Sequence, residues 1–249
     1  MRRLEGRRIL VTGASSGIGR AVAQRCASEG ARVLATGRSA AELERTAAGS
    51  DGIVTFACDL AEEGSAEACV GACVERLGGI DGLLHAAGVV RRGEDVRETS
   101  DAQLAAFLDL NLSAAFRVAR ETIRALRAAG APGSLVLTTS QLAHVGAPGY
   151  ASYCAAKGGV SALVRALAID VGPHGIRVNA LAPGLTRTPM AYVDRDDFDG
   201  SEQTFAALHP LRRIGEAEDM AGPSAFLLSD DSAWMTGQTL TIDGGYTAQ

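Results

Sequence analysis

The chain has 249 residues, 47% of them apolar and only 4% aromatic, and a net charge of −5. That length suits one large α/β domain or two small ones, and the apolar share is enough for a sizeable core. The negative balance argues against nucleic acid, the opening residues do not read as a signal peptide, and no uninterrupted apolar run would span a bilayer. A cytoplasmic protein that binds neither nucleic acid nor membrane is therefore expected.

The first apolar run, Ile9–Thr12, reads as a buried strand. It leads into Gly13-Ala14-Ser15-Ser16-Gly17-Ile18-Gly19, after which Arg20–Glu29 carries a helical pattern. Strand, glycine-rich turn and helix start together suit a pyrophosphate, because glycines let the backbone approach and the free N–H groups of a helix start attract an anion. The glycine spacing departs from the usual dinucleotide fingerprint, and no Gly-Lys-Ser/Thr follows to make a phosphate-binding P-loop. Further strand-like runs follow at Arg32–Thr36, Ile53–Cys58, Gly82–His85, Ser134–Thr138, Arg177–Leu181 and Thr239–Ile242. Helical patterns lie between them, near Ala40–Ala48, Ala66–Leu77, Asp101–Ala129, Tyr153–Val171 and Asp219–Leu228. Short Val/Leu/Ile-rich strands alternating with helices call for parallel pairing and right-handed crossovers. The expected product is a single domain over 1–249, a doubly wound parallel sheet of about seven strands with helices on both faces. Pro183 to Arg213 is the least regular stretch, and about 185–213 is expected to be a mobile substrate loop. Its acidic run, Asp194-Arg195-Asp196-Asp197-Phe198-Asp199, reads as solvated rather than as a metal site. The cysteines at 26, 58, 69, 73 and 154 are odd in number and argue for reduced thiols. Cys69 and Cys73 have no histidine nearby, so no metal is expected.

Two positions address the adenosine end of a dinucleotide. About twenty residues past the turn, where a carboxylate would bind the ribose hydroxyls, stand Gly37 and Arg38. A glycine removes the group that would repel a phosphate, and an arginine supplies a bidentate partner for one. In the middle of the chain, Tyr153 and Lys157 fall on one face of a helix over Ala151–Val171. An ammonium beside a phenol favours the phenolate, so the Tyr153 pKa is expected to fall and the side chain to exchange a proton near neutral pH. The Ser140 hydroxyl is a candidate to bind the same substrate oxygen.

Taken with Asp59, Ala87-Gly88, Asn111, Asn179, Pro183-Gly184, Thr188 and the closing Asp243-Gly244-Gly245, these motifs resemble the short-chain dehydrogenase/reductase family. The resemblance runs from about Gly6 to Tyr246 and leans toward the 3-oxoacyl-carrier-protein-reductase-like branch. It implies a Rossmann fold and an NAD(P)-dependent exchange between a ketone and a secondary alcohol. In the reductive direction Tyr153 would act as general acid and Ser140 would hold the carbonyl oxygen. Lys157 would also hold the nicotinamide ribose, and Asn111 would support a water relay to it. The cofactor set implied is Gly13, Ser15, Ser16, Gly17, Ile18, Gly19, Arg38, Asp59, Leu60, Ala87, Gly88, Pro183, Gly184 and Thr188, with Asp59 at the adenine and Thr188 at the carboxamide. Gly37-Arg38 favours NADP(H), with NAD(H) as the other choice. The family's usual Asn-Asn-Ala-Gly is His85-Ala86-Ala87-Gly88 here, which puts a tie between strands in doubt. His85 is read as a core histidine, and Tyr150 is set aside because four residues on it meets Cys154. His144 and the segment from Gly184 to Arg213 are expected at a small-molecule substrate, carrier-bound or free. Two alternatives stay open: an NAD-dependent dehydrogenase of a cyclic alcohol or dihydrodiol, and a non-catalytic nucleotide-binding regulator. The resemblance also implies a homotetramer, with the strand near Thr239–Ile242 and the outer faces of the long helices at its interfaces.

Overall fold

The computed structural model describes residues 2–193 and 198–249. In chain order its elements are β1 (Arg8–Thr12), α1 (Gly17–Ser28), β2 (Arg32–Gly37), α2 (Ala40–Ala47), β3 (Ile53–Ala57), α3 (Ser65–Leu77), β4 (Gly82–His85), α4 (Asp101–Leu108) and α5 (Ala114–Ala128). There follow β5 (Gly133–Thr138), α6 (Ala151–Val171), β6 (Ile176–Pro183), β7 (Thr186–Arg187), α7 (Pro189–Tyr192), α8 (Phe198–Ala207), β8 (Gly215–Glu216), α9 (Ala217–Leu228) and β9 (Thr239–Ile242). Seven strands form one parallel sheet in the order β3-β2-β1-β4-β5-β6-β9, and β7 pairs with β8 apart from it.

The period-2 alternation of a strand sorts its side chains onto the two faces. Ile9 and Val11 of β1, with Val33, Ala35, Leu84 and Val136, pack on α1 and α9. Leu10, with Leu34, Leu83, Leu135 and Leu137, packs on α3, α5 and α6. Both faces are covered, which is why these strands are apolar without interruption. Small residues (Ala21, Ala23, Ala221, Ala225) let α1 and α9 lie close together under the sheet. At the sheet's N-terminal end, the Arg8 guanidinium donates to both oxygens of Asp81 at 2.8 and 2.7 Å and so ties β1 to the start of β4.

Three local expectations need correction. The helix of the glycine turn begins at Gly17, inside the motif, rather than at Arg20. The single helix expected over Asp101–Ala129 is two, joined by a π turn at Asp109–Ser113. The irregular stretch after Pro183 is organised as β7, α7 and α8, while Asp194 to Asp197 of the acidic run lie outside the described residues.

Candidate active site

The strand order reverses between β1 and β4, and ligands of open α/β sheets bind beyond the carboxyl ends of strands at such a point. A cavity of about 720 Å³ opens there. Gly13, Ser15, Ser16, Gly17, Ile18, Gly19, Arg38, Asp59 and Leu60 line it, as do Ala87, Gly88, Asn111, Ser140, Tyr153, Lys157, Pro183, Gly184 and Thr188. Every catalytic and cofactor-binding residue expected from the sequence thus reaches one cleft. His144 is exposed and is not among the lining residues.

The glycine turn is built for close approach. Gly13 has φ +69°, and a Cβ there would lie 2.7 Å from the Ala86 carbonyl carbon, so only glycine fits where the turn crosses the end of β4. Ser16 is the N-cap of α1 but its side chain makes no capping bond, so no side-chain cap competes with an anion at that helix start. The Ser15 hydroxyl is buried without a partner among the described residues, and a Cβ on Gly37 would come within 2.1 Å of it. A side chain at Gly37 would therefore require the Ser15 hydroxyl to turn away. Arg38 beside it is exposed, and no ion pair holds it among the described residues. These features fit a nicotinamide dinucleotide. At the other end Thr188 faces the turn, with its Cγ2 2.9 Å from where a Cβ of Gly17 would sit.

Ser140, the cap of a short 3₁₀ turn after β5, stands close enough to the Tyr153 phenol for its hydroxyl to favour the phenolate. Lys157, one turn along α6, is buried, donates through Nζ to the Thr138 carbonyl at 3.0 Å and lies 5.8 Å from the centre of the Tyr153 ring. Asn111 sits in the π turn, the kind of helix defect found often at functional sites. Its Nδ2 donates to Phe107 O at 3.1 Å and its Oδ1 accepts from Val89 N–H at 3.1 Å. A Cβ on Gly88 would lie 2.9 Å from that Oδ1 and 3.6 Å from Lys157 Nζ, so the amide and the ammonium flank one glycine.

The expected depression of the Tyr153 pKa is not met. Burial pushes the phenol up to about 12, against the opposing pull of the Ser140 hydroxyl and the Arg92 charge. Burial also brings Lys157 down to about 8. Both charged forms lose hydration in the cleft, and at this burial desolvation outweighs the attraction between them. The phenol is therefore protonated at neutral pH.

His85 ends β4 and shares a 2.9 Å hydrogen bond between its Nδ1 and Thr12 Oγ1 at the end of β1. It restores between strands the tie that Ala86 cannot make. Burial, then the Lys157 charge, bring its pKa down to about 3, so it is neutral.

Sequence reasoning missed part of the cleft wall. Tyr150 lines it, its ring edge-on to Tyr153 at 6.3 Å, and Arg92, Gln141 and Tyr246 also contribute, beside Met190, Phe205, Leu208 and His209 of the segment expected at the substrate. Arg92 followed the Ala87-Gly88 motif closely enough to be suspected. Tyr246 is brought in by a distant segment and carries no local signal.

The family description enoyl-(acyl carrier protein) reductase matches residues 13–247. The chain is 37% identical to 2,5-dichloro-2,5-cyclohexadiene-1,4-diol dehydrogenase from Sphingobium indicum, over 98% of each chain. It is 36% identical to L-xylulose reductase from Bos taurus, over 99% of this chain and 98% of that one. Among solved structures, levodione reductase superposes with a TM-score of 0.92 at 33% identity, covering 99% of each chain.

Proposed function

The chain belongs to the short-chain dehydrogenase/reductase family and is an NAD(P)-dependent oxidoreductase of CH–OH groups, and from that premise we propose that it interconverts a ketone and a secondary alcohol with NADP(H), Tyr153 serving as the proton donor and acceptor. The observation that carries the mechanism is that Ser140, Tyr153 and Lys157 line the same cleft as the glycine turn. When bound, the reduced nicotinamide supplies the hydride. Tyr153 gives its proton to the oxyanion that develops on the substrate, and the Ser140 hydroxyl donates to the same oxygen. Lys157, with Asn111 beside it, stands where it can stabilise the phenolate left behind and restore its proton. A phenol pushed up to about 12 is in the form that reduction needs.

Preference for NADP(H) is supported by Arg38, exposed and without an ion pair among the described residues, and by the absence of a carboxylate at Gly37. Residues 1–249 would then act as one dinucleotide-binding and catalytic domain, with the segment at about 185–213 over the substrate. A cytoplasmic location is supported by the five free cysteines. A homotetramer is supported by two separate exposed apolar patches: Leu104 and Phe116 on α4 and α5, and Ile169 and Trp234 near β9. The name of the diol dehydrogenase relative favours a second reading, NAD-dependent oxidation of a cyclic diol. A panel of ketones and alcohols followed at the nicotinamide absorbance tests both readings. NADPH should give the higher kcat/KM, and Arg38→Leu should cut that preference roughly tenfold or more, the worth of a charged hydrogen bond. A wild-type preference for NADH would refute the phosphate reading.

A further inference from the structure

Arg92 is the charged group of the cleft that the proposed reaction does not use. It lies on the stretch after β4 and reaches across the substrate end. Its Nε donates to Tyr150 Oη at 3.1 Å, one Nη donates to Met190 O at 3.0 Å, and the other donates to Val193 O. These acceptors are neutral, and each terminal nitrogen keeps a second N–H. No carboxylate pairs with Arg92 among the described residues. The nearest acid in sequence, Glu94, is taken up by the N–H and hydroxyl of Ser152, at the start of α6, and by Thr99 Oγ1.

Charge in the cleft is one-sided. Among the described residues its charged lining is Arg38, Arg92, Lys157 and Asp59. Asp59 follows β3 and Arg38 follows β2, and the two strands pair Gly37 with Ala57, so the carboxylate sits at the adenosine end. The substrate end, between Ser140, Tyr150, Tyr153 and Met190, therefore has cations and no anion among its described residues. This occurs in a chain whose net charge is −5. A half-buried guanidinium with only neutral partners is incompletely compensated, and a fork of free N–H groups is the usual partner of a carboxylate. Arg92 is also close enough to Tyr153 for its charge to act on the phenol.

We propose that Arg92 is a substrate-specificity residue that binds a carboxylate, so that the ketone or alcohol turned over is an oxo acid or hydroxy acid with its acid group a few bonds from the reacting carbon. The proposal rests on the oxidoreductase reading above and narrows its substrate class. It places the reacting oxygen at Ser140 and Tyr153 and the acid group across the Tyr150 ring. The same guanidinium ties α7 to the cleft, so binding of the acid would reinforce the wall around it.

Matched pairs test this: short 3-oxo and 4-oxo acids against their methyl esters, with NADPH and with NADH, for the wild type, Arg92→Met and Arg92→Lys. The wild type should favour the acid in kcat/KM. In Arg92→Met the acid-to-ester ratio should fall roughly 10- to 100-fold, chiefly through KM, and Arg92→Lys should restore part of it. Equal losses on acid and ester in Arg92→Met would overturn the proposal and leave Arg92 as a latch for α7. A wild-type preference for the ester would overturn it too. Calorimetric titration of the same acids into protein saturated with NADP⁺ separates the two levels. Acid binding that needs Arg92, without turnover of any carbonyl, would overturn the oxidoreductase reading and keep the anion site. Turnover of neutral ketones with no acid binding would keep the reading and overturn the site.

Discussion

Acid should destabilise this protein through His85, by an amount that follows from its burial. In the unfolded chain the imidazole has a pKa near 6.5; in the fold, desolvation first and the Lys157 charge second bring it to about 3. The folded state therefore refuses a proton that the unfolded state accepts. Stability carried by this group is present above pH 6.5 and is lost as pH falls toward 3. Between pH 7 and pH 5 the unfolded imidazole becomes almost fully charged while the folded one stays neutral, a loss of roughly 2 kcal/mol. Denaturant unfolding of wild type and His85→Asn at both pH values measures it. Carboxylates held low in the fold, such as Glu29 beside Arg3, add an acid loss of their own, but both proteins share it. The difference of differences isolates the histidine, and wild type should lose about 2 kcal/mol more than the variant. Equal losses would show that His85 takes up its proton in the folded state, and the argument from burial would fail.

Tyr153→Phe should lower kcat by about 10²- to 10⁴-fold while dinucleotide binding, followed by fluorescence titration, stays near wild type; a near-normal rate would remove the tyrosine from the reaction. Gly13→Ala should cost about 2 kcal/mol or more in unfolding free energy, because its φ of +69° and a Cβ 2.7 Å from the Ala86 backbone leave no room for a side chain. A variant as stable as wild type would refute the close packing of the turn on β4. Light scattering should return a tetramer mass, and Trp234→Asp should lower it, since that ring is fully exposed beside β9. A fully active monomer would rule out the assembly.

The sheet was legible because its strands are apolar on both faces, so each announces itself as a run such as Ile9–Thr12 or Gly82–His85. Most of the cleft was legible for a different reason. Its chemistry sits in short local spacings, a glycine turn at Gly13–Gly19 and a tyrosine one helical turn before a lysine. Properties that depend on the surroundings were not. Charge pairing argued for a low Tyr153 pKa, and only the fold shows that burial outweighs it. Tyr150 was dismissed on spacing alone, yet it enters the cleft through its hydrogen bond with Arg92, 58 positions away. Asp109-Leu110-Asn111-Leu112-Ser113 continues the apolar rhythm of its neighbours, so nothing in it marks a π turn.

That π turn acts as a phase shift. A residue added to a helix rotates all that follows by about 100°, so the wider turn at Asp109–Ser113 sets two helical faces independently. Before it, α4 buries little beyond Phe107; after it, α5 lays Val118, Ala119, Thr122 and Leu126 into the core. Asn111 occupies the seam, where its amide is free to serve Val89 instead of facing either side squarely. Deleting one residue from the seam would give a more regular helix with its core face intact on one side only. The asparagine would swing out of the cleft, and the loop bearing Gly88 and Val89 would lose its anchor. In this stretch the chain length itself is a functional parameter, as constrained as the identity of any side chain in it.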